Sequence, residues 1–210
     1  MELEQILPKD IERRSFEIIT KELGDRVLDP VNASVIKRVI HTTADFDYVQ
    51  NLVFSREAVP LALKALREGT PIVTDTNMGM AGINKRALKK WGSEVYCFMS
   101  DEDVARAALE KGTTRAWAGV DKAAGLKEDC IFAIGNAPTA LVRLYELVKE
   151  GRIKPRLIIA VPVGFVNVEA AKELILSLDV PYIVARGRKG GSNVAAAICN
   201  ALLYQLPFPG

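Results

Sequence analysis

The chain holds a single histidine, His41, in the run Lys37-Arg-Val-Ile-His-Thr-Thr-Ala-Asp45. Imidazole is the side chain whose ordinary pKa lies near neutrality. Proton transfer at pH 7 therefore falls first to His41, or to a carboxylate, lysine or cysteine shifted by its surroundings. Solitude also excludes chemistry: one chain can form neither a His–His metal site nor an HExxH helix. Helical spacing places Arg38 and Asp45 one turn to either side of His41 on one face, a cation and a carboxylate with opposing influence on the ring's protonation. A capping or half-buried histidine without chemistry is the alternative, and its surroundings must decide.

Two further polar residues interrupt apolar patterns. Ser15 breaks the stripe Ile11, Ile18, Ile19; its hydroxyl either meets a ligand or bonds back to the helix backbone. Arg115, in Gly112-Thr-Thr-Arg-Ala-Trp117, stands at a loop-to-helix junction. Loops rich in glycine and small polar residues supply more candidates: Thr76–Gly82, Met99-Ser100, Gly135-Asn-Ala-Pro-Thr139, Pro162–Asn167 and Arg186-Gly-Arg-Lys-Gly-Gly-Ser-Asn193. Glycine lets backbone N–H groups approach a ligand, and a following helix favours anions. The last loop combines three cations with three glycines directly ahead of a helix, although a solvated basic turn has the same composition. No GxGxxG fingerprint follows any strand, and Lys189 precedes its glycine pair, so the Walker pattern fails; S-adenosylmethionine signatures are looser and stay open. The loops suggest a broad ligand with several negative groups, met by backbone amides and arginines.

The elements that must position these residues follow from hydrophobic patterning. Ile72–Asp75, Val95–Phe98, Ile131–Ile134, Leu157–Val161 and Tyr182–Ala185 are continuous apolar runs, as expected of strands in a parallel sheet covered on both faces. Amphipathic helices separate them. Ser100 with Asp103 resembles a capping box, Asn136 and Asn167 are candidate caps, and the last helix, Ser192 to about Gln205, is alanine- and leucine-rich on nearly all sides. That helix should pack on the sheet or on a partner subunit. The first seventy residues predict three helices: one capped by Asp10 and ending at Gly24, one starting at Asp29-Pro30, and one from about Arg56 to Glu68. The predicted architecture is α/β: an open, mostly parallel five-stranded sheet flanked by helices, with an N-terminal helical segment. Ligands of such sheets sit beyond the carboxyl ends of the strands.

Composition sets the frame. With 210 residues, 49% hydrophobic and 26% charged, one globular domain over 1–210 is expected. A net charge of +2 gives no case for nucleic acid or membrane binding. Cys97, Cys130 and Cys199 are widely spaced, which argues against a disulfide framework or zinc cluster. Met1-Glu-Leu-Glu-Gln5 shows no signal-peptide pattern and no apolar stretch approaches spanning length, so a cytoplasmic protein is expected.

Taken together, Glu12-Arg-Arg-Ser-Phe16, Arg38-Val-Ile-His41, Ile134-Gly-Asn-Ala-Pro-Thr-Ala-Leu141, Val161-Pro-Val-Gly-Phe-Val166 and Arg186-Gly-Arg-Lys-Gly-Gly-Ser192 closely resemble the precorrin-8X methylmutase family. The resemblance spans almost the whole chain. It implies migration of a methyl group between adjacent carbons at ring C of a corrinoid, giving hydrogenobyrinate, or cobyrinate when cobalt is present. The family's RxxH histidine falls on His41, with general acid as its role. The resemblance further implies no redox cofactor, no external methyl donor and no protein-bound metal, any cobalt being part of the substrate, and a homodimer with its pocket near the subunit interface. The substrate is then a flat tetrapyrrole rimmed by carboxylates, for which Arg38, Arg115 and Arg186 are the expected cations and Ser15, Gly135 and Asn136 the expected hydrogen-bonding groups. Two other functions compete: an S-adenosylmethionine-dependent tetrapyrrole methyltransferase and a non-catalytic corrinoid carrier.

Overall fold

The computed structural model describes residues 4–126 and 128–207; Met1–Leu3 of the N-terminal run discussed above lie outside that range. Six strands form one sheet: β1 Leu52–Phe54, β2 Ile72–Thr74, β3 Val95–Tyr96, β4 Ile131–Ile134, β5 Leu157–Ala160 and β6 Tyr182–Ala185, in the order β1-β6-β5-β4-β2-β3. All pairings are parallel except β1 with β6, which is antiparallel, with Leu52 opposite Ala185. The five predicted strands are present; the sixth, β1, corrects the strand count. Its three residues directly follow a helical turn, too short a run to stand out.

A 3-10 turn at Pro8–Asp10 leads into α1 Ile11–Leu23. There follow α2 Ala33–Thr43, α3 Tyr48–Asn51, α4 Ala58–Arg67, α5 Asn77–Gly82, α6 Lys85–Lys89, α7 Glu102–Glu110, α8 Arg115–Ala123, α9 Pro138–Lys149, α10 Val168–Leu176 and α11 Ser192–Gln205. The strands split their side chains between two cores by simple alternation. Ile131, Ala133, Leu157, Ile159, Ile183 and Ala185 join the core built with α1, α2, α4 and α11. Phe132, Ile134, Ile158, Ala160 and Val184 join the one built with α8, α9 and α10. Burial on both faces explains the unbroken apolar runs. α11 buries almost every side chain from Val194 to Leu203 and packs against α2, α4, α5 and the sheet, so its all-round apolarity is satisfied within the chain.

Strand order reverses between β2 and β4: β3 lies on one side of β2, while the chain continues through β4, β5 and β6 on the other. Such a switch point opens a crevice at the strand ends. The predicted caps differ in detail. Ser100, Asn136 and Asn167 make no side-chain cap to the helices they precede, and Asp10 pairs with Arg13 instead of capping α1. α2 starts at Ala33, because Asp29 accepts from Val31 N and Asn32 Nδ2 and holds Asp29–Asn32 in a turn.

Candidate active site

Val35, Ile36, Val39 and Ile40 form the buried stripe of α2. Residues offset from that stripe, Arg38 and His41, are turned toward α1, where Phe16 meets both. The His41 ring stacks on Phe16 with centroids 5.3 Å apart and planes 14° from parallel. The Arg38 guanidinium lies 4.8 Å from the Phe16 centroid and 5.2 Å from that of Tyr204, and it pairs with Glu12. Among the described residues His41 has no hydrogen-bond or ion-pair partner, and it is exposed. Its ring plane is thus fixed by stacking while its nitrogens remain available. Ser15 takes the backbone option: its hydroxyl donates to Ile11 O at 2.9 Å.

Asp45 is not on the histidine's face. The helix ends at Thr43, Ala44 turns left-handed (φ 54°), and Asp45 swings to Lys189, 2.6 Å away. That bond is the main reason its carboxyl sits below the usual range. Lys189 also binds Asp47 at 2.6 Å, which ties the end of α2 to the loop after β6.

At the switch point the crevice is closed by Asp75, the residue following β2. Its carboxylate is 5% exposed and accepts the N–H groups of Gly135 (2.9 Å), Asn136 (2.8 Å) and Ala137 (2.6 Å). Burial pushes this carboxyl up, while the three N–H bonds pull it down. These three donors belong to the turn that leads into α9, ahead of its first residue Pro138, so Asp75 fixes the turn and α9 has no side-chain cap. The N–H of Gly135 is therefore already engaged, whereas the Asn136 residue is exposed. Gly135 must be glycine: a Cβ there would stand 2.6 Å from Ser192 Cα. Nearby, Thr76 Oγ1 and Ser192 Oγ are 2.7 Å apart, and Thr114 Oγ1 and Thr139 Oγ1 are 2.7 Å apart, which brings the head of α8 to that of α9. Arg115 opens α8, exposed and without a partner among the described residues.

Arg186 leaves β6 with its N–H on Asn51 O (2.8 Å), and its exposed guanidinium lies 3.6 Å from Glu173. The predicted residues thus fall into two groups. Ser15, Arg38 and His41 lie on the α1–α2 face; Arg115, Gly135, Asn136 and Arg186 lie along the carboxyl edge of the sheet. The cavity over Thr74 and Asp75 holds only about 10 Å³, far less than a macrocycle needs. Among the described residues no cluster of three or more His, Cys, Asp or Glu could hold a metal ion, and no helix is long and apolar enough to cross a membrane.

The model of the precorrin-8X methylmutase family matches residues 10–205. The chain belongs to the precorrin-8X methylmutase family. It is accordingly an intramolecular transferase, an isomerase. It is 46% identical to the cobalt-precorrin-8 methylmutase of Salmonella typhimurium, covering 95% of this chain and 96% of the relative. It is 44% identical to that of Leptospira interrogans (94% and 93%) and 37% identical to the precorrin-8X methylmutase of Pseudomonas aeruginosa (91% and 93%). The crystal structure of the precorrin-8x methyl mutase from Thermus thermophilus superposes with a TM-score of 0.86 at 38% identity, over 93% of this chain and 96% of that one.

In this methylmutase-family fold, sequence reasoning passed over Asp75 and Lys172. Asp75 carried a signal, a lone carboxylate closing an apolar strand run. Lys172 carried none, because a lysine in an amphipathic helix ordinarily faces water. Phe16 lies within the Glu12–Phe16 motif, and residue type alone does not signal that its ring holds both Arg38 and His41.

Proposed function

We propose that this chain moves a methyl group between two adjacent carbons at ring C of cobalt-precorrin-8 to give cobyrinate, with His41 as the general acid. The family match over residues 10–205 carries the reading. Cobalt in the substrate is favoured because the Salmonella and Leptospira relatives, at 46% and 44% identity, are named for that form, and the Pseudomonas relative at 37% is not. His41 protonates the macrocycle, the methyl group shifts within it, and the proton is returned. The reaction is internal to the substrate, so it draws on no methyl donor and no redox cofactor.

The local chemistry supports these roles. Among the described residues the imidazole has no hydrogen-bond or ion-pair partner, and it is held flat against Phe16, a fitting neighbour for a flat macrocycle. Arg115 is the cation most available to a substrate carboxylate, since Arg38 and Arg186 already face Glu12 and Glu173 and must share or exchange them. Ser15 can bind a carboxylate only by turning its proton away from Ile11 O. At the head of α9, Asn136 contributes through its exposed side chain. A single chain leaves His41 in water, and the loop after β5 exposes Val163, Phe165 (82%) and Val166. Both features favour a homodimer in which a second copy helps to enclose the macrocycle.

Replacing the acid tests the mechanism. His41→Ala is expected to lower kcat by about 10²–10⁴-fold while corrinoid affinity changes little. Near-normal turnover would remove His41 from the chemistry.

A further inference from the structure

Lys172 lies on α10 beneath the loop that follows β6 and is 0% exposed. An isolated ammonium is costly to bury. Here no carboxylate lies within ion-pair distance among the described residues; Nζ donates instead to Gly187 O at 2.7 Å and Lys189 O at 2.9 Å. Burial depresses the amine to about 8, with Glu169 opposing the shift from one turn earlier. Glu169 itself is engaged by Arg188 at 2.9 Å. The carbonyl between the two, Arg188 O, accepts from Gly164 N at 3.1 Å. Three successive carbonyls of the loop are therefore drawn into the protein.

Peptide planarity sets the consequence. In a trans peptide the C=O of one residue and the N–H of the next point in opposite directions, and no cis bond is present. The N–H groups of Arg188 and Gly190 therefore point away from Lys172, and that of Lys189 away from Gly164. None of the three has a hydrogen-bond partner among the described residues. Gly190 closes the arrangement: its φ of +159° and the Val161 carbonyl oxygen, set against the place where a Cβ would stand, exclude a side chain.

We propose that Lys172 is a positioning residue for substrate binding: by gathering the carbonyls of Gly187 and Lys189 it turns the N–H groups of Arg188 and Gly190 outward, beside the Lys189 N–H that the Gly164 bond orients, to receive a carboxylate of the substrate's rim. The inference rests on the corrinoid reading above, which supplies the polycarboxylate. The cradle binds through backbone, so its strength depends on a residue that never touches the ligand. Arg186 and Arg188, at one edge, add charge without fixing geometry.

The direct test is an amide-resolved titration of the ¹⁵N-labelled full-length protein with hydrogenobyrinate, the metal-free product. The amide protons of Arg188, Lys189 and Gly190 should move downfield together as the ligand binds. Lys172→Met, assayed at pH 7, should raise KM about tenfold or more with kcat kept within about threefold, since the acid His41 is elsewhere. Binding that leaves those three amides unmoved overturns the proposal, as does a folded variant with unchanged KM or with its loss in kcat instead of KM. If the variant does not fold, the wild-type titration decides alone. Failure of the wild type to bind hydrogenobyrinate and cobyrinate alike overturns the corrinoid reading and the cradle with it.

Discussion

The turn after β4 and the loop after β6 both bring glycine backbone close to its neighbours and both run directly into a helix, yet they are organised by buried charges of opposite sign. Asp75 draws in the N–H groups of Gly135, Asn136 and Ala137; Lys172 draws in the carbonyls of Gly187 and Lys189. In the first turn the backbone is used up internally, since Ile134 O and Gly135 O also accept, from Val161 and Val163. In the second, the N–H groups are left over. Glycine content therefore marks where backbone comes close, while the sign of the buried partner decides what that backbone offers. Both charges are held against desolvation, which pushes Asp75 up and Lys172 down.

Asp75→Asn should break the comparison most sharply. The amide puts its own donors among three N–H groups, and each orphaned donor costs about 1–3 kcal/mol. A loss on the order of 3 kcal/mol in urea denaturation is expected; a stability equal to wild type would mean that the turn holds itself. Lys172 gives a smaller effect with a defined pH sign. Its pKa is about 8 in the folded chain against 10.5 unfolded, so between those values the unfolded state holds the extra proton and stability rises with pH. As pH falls through 8 that contribution is lost. The stability of wild type relative to Lys172→Met should therefore grow between pH 7.5 and 10, by on the order of 2 kcal/mol. A difference independent of pH would show that the amine is not desolvated. Arg186→Ala should have the mildest effect, weakening corrinoid binding a few-fold at low ionic strength and less as salt is added. Equal affinity at every salt concentration would leave the carboxylate rim to the backbone and the other cations.

Much of this was legible in the sequence because hydrophobic composition follows burial. Strands β2 to β6 announced themselves as unbroken apolar runs, and α11 began and ended where its composition said. The edge strand β1 was hidden because three residues give no period, and its pairing with β6 is decided by tertiary contact alone. The candidate site divided in the same way. His41 and Arg38 stood out by residue type and helical spacing, and their roles came from the family resemblance; Asp45 was misplaced because the left-handed turn at Ala44 leaves no mark on an alanine. Asp75 and Lys172 act across sequence separations of 60 and 15 residues to their first-named partners, Gly135 and Gly187, which local reading does not span.

The most direct test of the account is anaerobic incubation of the wild-type protein with cobalt-precorrin-8, followed by absorbance. A spectral change is expected as the migrating methyl group shortens the conjugated system, with cobyrinate as product. Tight binding of the corrinoid with no spectral change would contradict it and leave a carrier in place of an enzyme.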